Sequence, residues 1–173
     1  MNQETDKIIV FGTLLKKITW ILDTPYSHEE RLRAVCELLR SAVSTYEWVG
    51  FYLVDPEKKD ELYLGPYAGA ETEHTRIKFG QGICGQAAET LDVYVVDDVS
   101  KADNYLACSI HVKSEIVLPI FVDGDLFGEL DIDSHTTAAF TEQDREFLKK
   151  ICEMVSDMIK MDKSNMGKKD DEQ

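Results

Sequence analysis

The chain has 173 residues, enough for one domain that buries about two thirds of the surface its unfolded state exposes, and its 43% hydrophobic and 30% charged residues are those of an ordinary globular protein. With 33 acidic against 19 basic side chains the formal charge is -14, which repels phosphate backbones and anionic bilayers and favours cationic or zwitterionic ligands, so nucleic acid and membrane are excluded as expected partners. No apolar run approaches the ~18 residues of a membrane span, and the four cysteines, at 36, 84, 108 and 152, form no C-x-x-C pair. Neither zinc, another cofactor nor a secreted disulfide framework is expected, and a reducing cytoplasm fits this cysteine usage best.

In chain order, an N-terminal apolar stretch interrupted by Lys16 and Lys17 leads to "SHEERLRAVCELLRSAVS". There Ser27 and Glu30 have capping-box spacing, and Leu32, Val35, Leu39 and Ala42 recur with helical period. "WVGFYLV", "ELYLGPY" and "HTRIKF" read as three strands, the first two a hairpin across the polar turn "DPEKKD". A short helix begins near Cys84, followed by the strand "VYVVDDV", the irregular "SKADNYLACSIHVK", and two strands joined at Asp123-Gly124, a hairpin signal. Thr141 and Asp144 cap a closing amphipathic helix that carries Phe147, Leu148, Ile151 and Val155. These elements predict an α+β fold with a mainly antiparallel sheet flanked by helices, as one domain over residues 1–162 and a disordered polar tail over 163–173.

"GQGICG", residues 80–85, fits the G-x-G-x-x-G spacing of a dinucleotide loop, yet it holds a thiol. The preceding "RIKF" alternates polar and apolar residues instead of forming a doubly buried apolar strand, and little helix follows before Leu91-Asp92, so the context disfavours a dinucleotide. Cys84 lies near a helix N-terminus, where positive potential favours a thiolate. Cys108 lies in a stretch without clean period, a loop over the sheet. Cys36 and Cys152 sit on or beside apolar helix faces and read as packing residues.

Glu129, Asp131 and Asp133 share one face of "GELDID" by the two-residue period of a strand, and Glu115 on the neighbouring strand falls opposite the region of Asp133. One reading is a solvated strand face. The other is an acidic pocket for a ligand ammonium group, in which crowding raises one pKa enough to keep a proton for donation.

"WVGFYL", "LGPYAG", "GQGICG", "YLACSIHVKSEIVLPI" and "GELDIDS" resemble, in order, segments of GAF-domain proteins of the free methionine-(R)-sulfoxide reductase type, over about residues 46–160. The resemblance implies a six-stranded antiparallel sheet flanked by helices, usually in a homodimer. It also implies Cys108 as nucleophile, Glu115, Asp131 and Asp133 engaging the substrate's amino group and sulfoxide oxygen, and Trp48 and Tyr52 walling the pocket. Cys84 then either resolves the Cys108 sulfenic acid as a disulfide or assists a single-thiol cycle, and thioredoxin or a similar thiol restores the enzyme. Two positions depart from the family pattern: His74 stands where a further cysteine is common, and Ser109 where an acid commonly follows the cysteine. The alternative is a non-enzymatic GAF module that binds a small molecule or senses redox state, and a cyclic-nucleotide sensor is disfavoured by the acidic charge.

Overall fold

A computed structural model describes residues 3–106 and 109–170, so Cys108 lies outside the described residues. The chain runs α1 (Gln3–Leu22), α2 (His28–Ala42), β1 (Trp48–Val54), β2 (Glu61–Ala68), β3 (Arg76–Lys78), α3 (Gly82–Thr90), β4 (Tyr94–Val96), a short 3-10 turn (Val99–Lys101), β5 (Ser114–Val122), β6 (Asp125–Ser134) and α4 (Glu142–Asp170). The six strands form one antiparallel sheet in the order β3-β2-β1-β6-β5-β4, as the sequence predicts. None of the described helices is long and apolar enough to cross a membrane.

Local signals account for most element ends. Ser27 closes a full capping box with Glu30 at the start of α2. Asp123 and Gly124, with φ of 54° and 90°, make the tight turn between β5 and β6 that the Asp-Gly pair favours. α3 stops at Thr90, where Leu91 takes the left-handed conformation. α4 continues to Asp170, through most of the segment that the sequence reading assigns to a disordered tail. The polar composition there excludes a buried face, but residues such as Lys163 and Met166 are good helix formers and extend a helix already nucleated by packing upstream.

The two faces of the sheet carry different cores. α1, α2 and α4 cover one face, where Val49, Phe51, Ile116, Leu118, Leu130 and Ile132 point from the strands. α3 covers the other, against Trp48, Tyr52, Leu62, Ile77 and Val117. β1–β2 and β5–β6 are sequence-local hairpins, whereas the central β1–β6 seam joins strands from distant parts of the chain.

Asp144 fastens the helical face. Fully buried, it accepts hydrogen bonds from the Tyr46 hydroxyl (2.7 Å), from the Thr141 backbone N–H and hydroxyl, and from Lys7 of α1. Burial pushes its carboxyl up, but Lys7, Thr141 and Tyr46 together outweigh that and hold it below the usual range. The resulting stability is present above the ordinary carboxylate pKa and is lost as pH falls through the lowered one. Asp144→Ala strands the buried Tyr46 hydroxyl, at about 1–3 kcal/mol, and removes a helix cap worth about 1 kcal/mol. Urea denaturation should show a loss of that size at neutral pH, shrinking in strong acid where the parent carboxylate is also protonated.

Candidate functional site

The site grows from strand period and register. On β6, Leu130 and Ile132 enter the helical core, so Glu129, Asp131 and Asp133 must face α3. The β1–β6 register sets Trp48 beside Asp133, Gly50 beside Asp131 and Tyr52 beside Glu129. The β5–β6 register sets Glu115 beside Asp133, where the sequence predicts it, and Val117 beside Asp131. All four acids are buried, and Glu129 is fully so. The solvated-face reading is therefore wrong: alternation gives the shared face, and α3 with the segment before residue 107 removes that face from water.

No buried oxygen of Glu129 or Asp133, nor Oδ1 of Asp131, has a hydrogen-bond partner, and among the described residues no basic side chain forms an ion pair with any of the four acids. Unpaired carboxylates in such a place respond by holding protons. Burial, followed by Asp131, Asp133 and Glu129, pushes Glu115 far above the carboxylate range. Burial likewise raises Glu129, against the neighbouring Cys84 thiol, which lowers it, and raises Asp133, with Asp131 adding to the effect. Asp131 is raised to about 7 by burial, against hydrogen bonds from Cys84 and Glu115.

Cys84 sits in the first turn of α3, its Sγ 3.9 Å from Glu115 Oε1. The sequence expectation that a helix N-terminus lowers this thiol's pKa is not met. Burial raises it well above the ordinary value, and Asp131, Glu129 and Glu115 push in the same direction. The helix end contributes partial charge, whereas three acids and full desolvation oppose the thiolate.

The glycine amides of the turn are turned inward to the protein. Gly80 N–H donates to Gly85 O (2.7 Å), Gly85 N–H to Gln81 O and Gly82 N–H to Asn104 Oδ1 (3.3 Å), so the amides a pyrophosphate needs are already engaged. Gly82, at φ 65°, has Leu106 at 2.9 Å from where a Cβ would stand, and Asn104 Nδ2 also donates to Gly80 O (2.8 Å). Asn104 and Leu106 thereby clip the segment before residue 107 over the thiol. This clip was not legible in the sequence, because nothing local links Asn104 to the glycine turn.

Tyr52, Cys84, Glu115 and Asp131 line one small cavity of about 10 Å3, together with Leu106 and His74. Trp48 and Asp133 lie beside it, off its wall: the Trp48 indole covers Gly50, stacks on Tyr67 at 5.4 Å and donates to Ala70 O. Tyr52 donates its hydroxyl to His74 O (2.8 Å). Glu129 is a site residue that the sequence reading placed on the acid face but did not assign a role. Cys36 and Cys152 belong to the opposite core, where burial pushes both thiols well up, in keeping with packing residues. A larger hollow of about 550 Å3 near Leu22, Met158 and Asp162 gathers no thiol.

Residues 27–159 match the GAF domain family. GAF domain-containing protein A of Dictyostelium discoideum is 37% identical over 84% of this chain and 89% of its own length. A free methionine-R-sulfoxide reductase of Escherichia coli is 38% identical over 66% of this chain and 67% of its own. The crystal structure of a free methionine-R-sulfoxide reductase from Neisseria meningitidis in complex with its substrate superposes with a TM-score of 0.84 at 35% identity, covering 90% of this chain and 91% of that one.

Because Asp131 keeps its proton in the folded state up to about pH 7 but loses it near 4 when unfolded, it favours folding at low pH, and that contribution fades as pH rises through this window. The slope is about 1.4 kcal/mol per pH unit for one such group. Asp131→Asn should flatten the decline in stability between those values by about that slope, read from urea midpoints across a pH series without ligand.

Proposed function

This chain belongs to the GAF domain family, and we propose that it reduces free methionine-(R)-sulfoxide to methionine. The observation that carries this reading is a cluster of four buried carboxylates against one thiol, with no basic partner among the described residues. A free amino acid brings the missing ammonium group. A cation seated there favours the ionised acids, so ligand binding and proton redistribution are one event.

In this reading the Cys108 thiolate attacks the sulfoxide sulfur while Glu115, the most crowded acid, gives its proton to the sulfoxide oxygen. The sulfoxide is reduced by two electrons to methionine, and Cys108 is oxidised to the sulfenic acid. Asp131, with Asp133 beside it, holds the ammonium group, and Tyr52 walls the pocket, which reaches Trp48 once it opens to admit the ligand. Cys84 then condenses with the sulfenic acid, releasing water and forming a Cys84–Cys108 disulfide. Cys36 and Cys152 are unsuited to this step, being packed on the other face of the sheet, and His74 cannot form a disulfide. Thioredoxin or a similar dithiol of the cytoplasm reduces the bridge. A cavity of about 10 Å3 admits no amino acid, so entry requires Leu106 to leave its place over Gly82.

The chain acts as a homodimer in this reading. Ile9 and Trp20 on α1 and Met161 on α4 expose large apolar surfaces, which a second copy covers. Trp20→Glu should shift a dimeric parent toward monomer in light scattering, and an unchanged mass would place the contact elsewhere.

Catalysis is tested by incubating the protein with dithiothreitol and each diastereomer of free methionine sulfoxide and measuring methionine. The parent should consume the R form, and Cys108→Ser should give none while keeping its near-ultraviolet circular dichroism. One equivalent of substrate without reductant should yield a Cys84–Cys108 peptide. Glu115→Gln should slow the single-turnover rate about 10²–10⁴-fold, whereas loss of an acid that only binds the ammonium group should mainly raise KM. Ligand binding without methionine formation would instead identify a sensor.

A further inference from the structure

The same cluster has the donors of a metal site, which cysteine spacing along the chain gives no reason to expect. We propose that Cys84, Glu115 and Asp131 bind one thiophilic divalent cation of the Zn2+ class, in competition with an amino-acid ligand. One donor atom from each of the three residues lies within 4.8 Å of the other two. The 3.9 Å between Cys84 Sγ and Glu115 Oε1 is close to the roughly 3.5 Å that Zn–S and Zn–O bonds span across a tetrahedral edge.

An independent observation points to a cation. Glu129 is not one of the three ligands, yet it is fully buried behind them and both its oxygens lack a hydrogen-bond partner. On the cavity wall itself, Asp131 Oδ1 is buried and likewise lacks a hydrogen-bond partner, so an unpartnered oxygen faces the space a cation would fill. The cavity of about 10 Å3 is on the scale of one water molecule, which suits a bare ion. A thiol with a small number of oxygens in so tight a space selects a soft, low-coordinate metal over Mg2+ or Ca2+, which require six or more oxygen ligands. Binding forms one metal–sulfur and two metal–oxygen bonds and releases to solvent the Cys84 proton and those held by Glu115 and Asp131, with no change of oxidation state.

The metal site stands on this geometry alone; only the competition rests on the proposed amino-acid pocket. Co2+ reports both. Titrated anaerobically into the reduced full-length protein, it should give one equivalent of a thiolate-to-cobalt charge-transfer band that Zn2+ displaces. The band should disappear in Cys84→Ser, persist in Cys108→Ser and Cys36→Ala, and need at least about tenfold more Co2+ in Asp131→Asn. Failure of the parent to give the band, its persistence in Cys84→Ser, or an unchanged affinity in Asp131→Asn overturns the site. If Cys84→Ser does not fold, Asp131→Asn and Glu115→Gln decide by the same affinity measure. Methionine sulfoxide should bleach the band. A band that meets every other criterion but resists methionine sulfoxide leaves the metal site standing and overturns the competition, whereas turnover measured with the metal chelated tests the reductase independently.

Discussion

A carboxylate cannot be both ionised and buried without a partner, and β6 places Glu129, Asp131 and Asp133 where all three are buried because Leu130 and Ile132 must enter the opposite core. The strand has no freedom to turn them outward: a slip of one residue would carry the leucine and isoleucine into the acid face. The sheet therefore fixes the positions of the charges, and the chain accommodates them as protonated acids. That state is poised to exchange protons for a cation, which is why the proposed chemistry is assigned to the middle of the sheet and not to an exposed loop tip.

The thiol follows from the same constraint. Cys84 is held by a turn whose glycine amides are engaged, and its surroundings keep it neutral until the acids beside it are compensated. Ligand occupancy thus acts on the thiol through charge. A cation drawn in by the carboxylates would remove part of the opposition to the Cys84 thiolate, so the thiol is quiet when no cation stands beside it.

Much of this was legible in the residues. Alternation in "GELDID", the Asp123-Gly124 turn and the helical placement of Cys36 and Cys152 give the acid face, the pairing of Glu115 with Asp133 and the sorting of the cysteines, because each depends on neighbours a few residues away. What the residues do not carry is the covering of that face. The burial of Glu129 and the direction of the Cys84 shift depend on α3 meeting β6 and on Asn104 reaching back to Gly80 and Gly82, contacts between segments that no local pattern connects. The helix beyond residue 163 was missed for a related reason: polar composition reports the lack of a buried face, and helix propagation from a packed segment does not need one.

The seam between β1 and β6 also bears on how the chain folds. β1–β2–β3 and β4–β5–β6 are each assembled from nearby residues, but Trp48 meets Asp133 only by closing a loop across the middle of the sequence. Long-range closure of this kind slows folding. α3, which withdraws the β6 acids from water, packs against β3 of one half and β5 and β6 of the other, so covering the acids requires this seam to be closed, and desolvating them costs least when they are protonated. Refolding should then run faster in mild acid than at alkaline pH, so that the acids that prepare the pocket for a ligand also tie the speed of its formation to the availability of protons.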